Sequence, residues 1–202
     1  MIVQGTDEWK QSRVGIVTAS RFADVMTKIK TGESATRYNY KAEIIAERLT
    51  GKPTESFVSF AMQWGTDHEP EARTIYETIH ELKVEETGLV KHPQIEAGAS
   101  PDGLVGKDGL IEIKCPNTAT HITTLIKGEA PKYYMSQMQG QMWITGRNWC
   151  DFISYDPRLN DKLAYFCIRV PRDDDFIAEL EDEVDKFLKD VDTVIKQLEA
   201  IK

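Results

Sequence analysis

The period of the apolar positions changes several times along the chain, and each change marks an element. Over residues 38–49 they recur at Tyr38, Ala42, Ile45, Ala46 and Leu49, a helical spacing that stops at Gly51-Lys52-Pro53. Residues 57–77 repeat the pattern through Ala61, Trp64, Ala72, Ile75 and Tyr76, and Pro70 predicts either a start near Asp67 or a kink. Residues 133–145 carry a stripe of Tyr134, Met135, Met138, Met142 and Trp143, interleaved with Gln137, Gln139 and Gln141. Residues 173–201 give a long amphipathic helix whose acidic residues crowd its N-terminal half, where the helix dipole favours them. Nearer the N-terminus, Asp7-Glu8 open a short helix carrying Trp9, and Ser20 reads as the N-cap of a helix with Phe22, Val25 and Met26 on its apolar face. Short apolar runs at 82–84, 89–91, 95–99, 149–155 and 163–170 read as strands, and the polar residues 28–37 as a loop.

The most informative stretch is residues 100–116, SPDGLVGKDGLIEIKCP. Its apolar runs at 103–105 and 110–113 flank the turn formers Gly106-Lys107-Asp108-Gly109, the pattern of a β-hairpin. A strand puts Ile111 and Ile113 on one face, toward the core, and Glu112 and Lys114 on the other. A three-residue loop, Lys107-Asp108-Gly109, with a left-handed glycine pairs Asp102 opposite Lys114 and gathers Asp102, Glu112 and Lys114 on one face. A two-residue loop instead sends Asp102 to the opposite face, unless a bulge corrects it. Two adjacent carboxylates repel each other, and a hard divalent cation such as magnesium takes such oxygen ligands while keeping several waters. Beside them a lysine can orient a metal-activated water or neutralise charge on a phosphorane-like transition state, which is the chemistry of phosphodiester hydrolysis. The spacing D-x9-E-x-K by itself also fits an exposed hairpin with solvated charges.

Composition narrows the setting. With 202 residues, 41% hydrophobic and 29% charged, the chain fits a single domain spanning 1–202. It has no apolar run long enough for a membrane span and no basic-then-apolar leader pattern at its N-terminus, so the expected location is the cytoplasm. Cys115, Cys150 and Cys167 are odd in number and widely spaced, which fits buried thiols better than a disulfide framework, a zinc site or an iron–sulfur cluster. The net charge of −8 runs against a nucleic-acid partner unless a local basic track exists. A helix start with a hydroxyl beside it is an anion site, and Arg13 lies close enough to Ser20 in sequence to share it; an ordinary cap and a surface arginine is the plainer alternative. Glu69, beside Pro70, can project into the site as a further metal or water ligand, whereas His68 lacks a spaced partner and reads as structural.

Five motifs occur in order: Arg13-Val-Gly-Ile-Val-Thr-Ala-Ser20, Trp64-Gly-x-x-x-Glu69-x-x-Ala-Arg73, Ser100-Pro-Asp-Gly103, Glu112-Ile-Lys-Cys-Pro116 and Gln137-x-Gln139-x-x-Met142-Trp143. In these the chain resembles the lambda-exonuclease family of YqaJ-type viral recombinases over nearly its whole length. The resemblance implies an α/β PD-(D/E)xK restriction-endonuclease-like fold, with a central mixed β-sheet flanked by helices and a long C-terminal helix. It also implies a processive, magnesium-dependent 5′-to-3′ exonuclease on double-stranded DNA ends. Such an enzyme releases 5′ mononucleotides, works as a homotrimeric ring and leaves a 3′ strand for a single-strand annealing protein. By the same resemblance Asp102, Glu112 and the Ile113 backbone carbonyl hold the metals, two Mg2+ with Mn2+ as a substitute, and Lys114 positions the water. Glu69 is a further acidic ligand, Gln139 supports the site, and Arg13 with Ser20 takes the 5′-phosphate. His68 stands where the best-known member has tyrosine, Met62 where it has a duplex-splitting aliphatic residue, and residues 28–37 align with nothing in particular. A PD-(D/E)xK endonuclease, a RecB-like nuclease and an inactive DNA-end-binding module are the competing readings.

Overall fold

The computed structural model describes residues 2–54 and 59–201; the expected start of the second amphipathic segment at Phe57 lies outside the described residues. The centre is a five-stranded mixed sheet built from β2 (Val84–Glu85), β5 (Gly103–Val105), β6 (Gly109–Lys114), β7 (Trp149–Tyr155) and β8 (Tyr165–Pro171), ordered β2-β5-β6-β7-β8. Strands β6 and β7 run parallel while their outer neighbours pair antiparallel. A second sheet, ordered β1-β4-β3, joins β1 (Val17–Thr18), β4 (Ala97–Ala99) and β3 (Val90–Lys91).

Every residue of β6 except Lys114 is buried, so this strand is covered on both faces. Ile111 and Ile113 pack with Ala72 and Tyr76 of α4 (Phe60–His80) and with Ile153. Leu110, on the opposite face, packs with Met138 and Met142 of α6 (Met135–Thr145) and with Phe152. Glu112 alternates with the isoleucines and therefore faces the α6 side. The expected core placement of the two isoleucines holds. A third cluster, containing Phe22, Tyr40, Ile44, Leu180, Val184 and Phe187, joins α2 (Phe22–Met26), α3 (Ala35–Thr50) and α8 (Asp174–Glu199) to the smaller sheet.

Several local expectations needed the tertiary context. Helix α4 runs unbroken through Pro70, and Ala61, expected in its buried stripe, is exposed because the helix's first turns extend beyond the sheet's cover. Residues 118–127 form α5 (Thr118–Lys127), capped by Asn117 accepting from Thr120 N–H, although its threonines carry little helical signal. The turn after β7 holds a further short helix, α7 (Asp161–Ala164). Ser20 does not cap a helix: it lies inside a 3-10 turn, Ala19–Arg21, that leads into α2, and α1 (Asp7–Ser12) precedes it as expected. All three thiols are free, with Cys115 and Cys150 buried and Cys167 half-buried. Among the described residues no helix is long and apolar enough to cross a membrane.

Helix α6 approaches α2 closely at Gly140, where an added Cβ would lie 2.2 Å from Cδ2 of the fully buried Phe22 ring. Gly140→Ala should therefore destabilise by about 1–3 kcal/mol through overpacking, although alanine is the better helix former. Urea unfolding of the two proteins measures this, and an unchanged or higher midpoint would contradict the packing.

Candidate active site

The hairpin forms with a register two residues away from the expected one. Val105 pairs with Gly109 and Gly103 with Ile111, so the loop is Gly106-Lys107-Asp108 and the left-handed glycine is Gly106 (φ 53°), not Gly109. Extending this register sets Asp102 beside Glu112 rather than Lys114. Because a two-residue shift preserves strand parity, the three side chains still gather. Gly109 instead pairs with both Val105 and Trp149, and only glycine fits there, since a Cβ would fall 2.0 Å from the Trp149 indole.

Glu112 is the centre of the cluster and is fully buried. Its Oε1 accepts from Gln137 Nε2 at 2.6 Å and lies 2.5 Å from Lys114 Nζ, while Oε2 accepts from Gln141 Nε2 at 2.6 Å. Gln137 and Gln141 are one helical turn apart, which lets one face of α6 supply both donors. The Asp102 Oδ2 accepts from the Ile113 N–H at 2.6 Å, leaving Oδ1 available. Burial, then the Glu112 and Glu69 charges, push the Asp102 carboxyl well above the ordinary carboxylate range. Burial pulls the Lys114 ammonium down, but Glu112 and Asp102 outweigh that and hold it above its usual value, so it stays charged. Its Nζ sits 4.8 Å from the centroid of the Tyr134 ring.

Two expected members stand apart. The Glu69 carboxylate accepts from Arg73 Nη2 at 2.6 Å, and Arg73 also binds Glu86. Glu69, expected as a further metal ligand, is thus an ion-paired carboxylate that lies close enough to Glu112 and Lys114 to feel their charges. Burial raises its carboxyl, Arg73 offsets part of this and Glu112 adds to it. Gln139, expected to support the site, makes its hydrogen bonds elsewhere. It turns away from the carboxylates, donating to Pro171 O at 2.9 Å and accepting from Asp173 N–H at 2.9 Å, and so ties β8 to α8. A residue two positions along a helix points to a different side, so only Gln137 and Gln141 of the three reach Glu112. His68 Nδ1 lies 3.0 Å from Trp64 O, with its ring stacked 3.9 Å from the Trp64 ring, a structural arrangement as expected.

Arg13 and Ser20 do come together, and Thr18 joins them unannounced by the sequence. Arg13 Nη2 donates to Thr18 Oγ1 at 3.1 Å and reaches Ser20 Oγ at 3.5 Å, while its guanidinium lies 4.1 Å from the centroid of the Trp9 ring. The backbone that shapes this pocket turns at Gly15 (φ 70°), whose N–H donates to Glu47 and whose carbonyl accepts from Arg48. The Thr18 N–H donates to the buried Tyr40 hydroxyl, and burial pushes that phenol up to about 12. Trp9 Nε1 donates to Ser100 Oγ at 3.1 Å, two residues before Asp102, so one indole joins the pocket to the hairpin.

Residues 8–148 match the YqaJ-like viral recombinase domain, more than half of the chain. The chain belongs to that family. It is 53% identical to an alkaline exonuclease (LHK-Exo) from Laribacter hongkongensis, with a TM-score of 0.90 and 96% of each chain covered. A phage-related exonuclease from Haemophilus somnus shares the fold at 18% identity and a TM-score of 0.74, over 91% of this chain and 96% of that one. A putative uncharacterized protein, ExoD, of Escherichia coli is 26% identical over 65 residues, 32% of this chain and 74% of that protein. The mixed sheet, flanking helices and long C-terminal helix of this YqaJ-like domain are those of the PD-(D/E)xK fold expected from the sequence.

The carboxylate cluster carries a stability cost that can be measured without metal. Asp102 binds its proton more tightly in the folded chain than in the unfolded one, where its pKa is about 3.9, so metal-free stability falls as pH rises through the folded pKa. Asp102→Asn keeps an acceptor for the Ile113 N–H and removes the charge. In chelator at pH 8 it should unfold at a higher temperature than the wild type, with the difference vanishing at pH 4. A lower midpoint for the variant at pH 8 would mean that the Asp102 charge is not repelled in the fold.

Proposed function

We propose that this chain is a magnesium-dependent exonuclease that removes 5′ mononucleotides from linear double-stranded DNA. The observation that carries the reading is the convergence of Asp102, Glu112 and Lys114 at the hairpin's end, linked through Trp9 to the group of Arg13, Thr18 and Ser20. It is supported by 53% identity to a protein described as an alkaline exonuclease, one structure of which is described as a complex with dAMP.

The donor set suits a hard divalent cation. Asp102 Oδ1 is available, and Glu112 Oε2 has one lone-pair direction beyond its bond from Gln141. Asp102, Glu112 and the Ile113 carbonyl would hold Mg2+, which lowers the pKa of a bound water and offsets phosphate charge. The remaining work belongs to the protein. Gln137 and Gln141 fix the rotamer of Glu112, so its oxygens are oriented before any ligand arrives. Lys114 presents an ammonium that faces the attacked phosphate and orients the nucleophilic water. Arg13, with the hydroxyls of Thr18 and Ser20, grips the terminal 5′-phosphate and so selects ends over internal positions. Glu69 adds negative charge that favours cation uptake. Three copies arranged as a ring, processive digestion and transfer of the 3′ strand to an annealing protein in the cytoplasm complete the proposal.

Digestion of strand-labelled linear, nicked and circular duplexes tests reaction class and polarity together. Linear DNA with 5′-phosphates should lose 5′ mononucleotides only with Mg2+ or Mn2+, and circular DNA should persist; cleavage of intact circles would favour an endonuclease instead. Lys114→Ala and Asp102→Ala should each lower the rate by at least about a hundred-fold. Arg13→Ala should slow phosphorylated ends about ten-fold more than unphosphorylated ends, a ratio of rates that equal losses on both would refute.

A further inference from the structure

We propose that the groove between α5 and the 3-10 turn Lys132–Tyr134 binds unpaired nucleotides of the cleaved strand on the 3′ side of the scissile phosphate. One base stacks on Tyr133, and the flanking phosphates meet Lys127 and Lys132. The inference rests on the nuclease reading above and assigns that site a substrate channel.

The groove encloses about 560 Å³ and is lined by Thr120, Thr123, Lys127, Glu129, Lys132 and Tyr133, among others. Its chemistry is that of a single-strand track: hydroxyl donors, two ammonium groups against one carboxylate, and an aromatic face. Among the described residues neither Lys127 nor Lys132 forms an ion pair, which leaves both ammonium groups free for a phosphate. Tyr133 is 58% exposed, so its outer face is open to a base. Its inner side packs against Tyr134 at a centroid distance of 4.2 Å, and Tyr134 in turn lies 4.8 Å from Lys114 Nζ. The aromatic platform therefore begins one ring away from the reactive lysine. The terminal phosphate pocket at Arg13 connects to the carboxylates through Ser100 and Asp102 instead. With the 5′ end gripped through that connection, the next nucleotides of the same strand run in past Tyr133 toward Lys114.

The test is fluorescence anisotropy of a labelled, 5′-phosphorylated single-stranded oligonucleotide in chelator, which keeps the DNA intact. Tyr133→Ala should weaken binding about ten-fold, Tyr133→Phe should bind as the wild type does, and Lys127→Ala with Lys132→Ala should flatten the log–log salt dependence by about 1.4. All of these positions are on the surface, and unchanged thermal midpoints confirm that the variants are folded. If the wild type binds and digests DNA while the alanine variants keep its affinity and salt dependence, the groove assignment is wrong and the nuclease reading stands. If the wild type neither binds nor digests DNA, the nuclease reading itself fails, and the groove with it. Weakened binding of a mononucleotide alone, with oligonucleotide affinity intact, would also overturn the channel.

Discussion

A carboxylate without solvent exposure governs this molecule. Glu112 lies on the central strand of the sheet, covered on both faces, and an ion in that position is tolerable only if its lone pairs are met by good donors. Gln137, Gln141 and Lys114 meet them. That requirement dictates much else: α6 must lie flat on the sheet at this point, its glutamines must be one turn apart, and Lys114 must remain charged. The hydrophobic contacts of Leu110, Met138 and Met142 hold the helix where those bonds can form. Packing and chemistry thus place the same helix by two independent demands.

The sequence made the hairpin, the outer helices and most strands legible because each carries its own period or its own punctuation. It left the details that depend on non-local contacts unread. At the hairpin, Gly109 serves the sheet rather than the turn, against the ring of Trp149 forty residues away. The roles of the three glutamines could not be separated by residue type. Only the helical phase of α6 against Glu112 decides that Gln137 and Gln141 face the carboxylate while Gln139 binds Pro171 and Asp173. The phase was in principle readable, since 137 and 141 share a face with each other and not with 139. Thr18 gave no signal, because its place beside Arg13 follows from the Gly15 turn and the Tyr40 hydroxyl.

Glu69 illustrates the difference between neighbourhood and coordination. Its motif places it near the carboxylates, as its mutual influence with Glu112 and Asp102 attests, yet Arg73 claims its oxygen. An arginine one turn along the same helix is a local partner that no spacing argument toward a distant strand takes into account. The overall charge of −8 is likewise a poor guide to the site, because α8 carries many of the acids and several of them pair with basic side chains, as Asp190 does with Arg37 and Asp192 with Arg48.

Trp9 stacks on Arg13 and donates to Ser100, and so spans the ninety residues of sequence between the N-terminal helix and the hairpin. The Arg13 cluster and the carboxylates are consequently joined through one aromatic side chain rather than through a loop. The separation between the Arg13 guanidinium and the hairpin that carries Asp102 is then set in part by the span of that one indole. In a chain built this way a change of loop length alone leaves that spacing in place, because the span is carried by the indole.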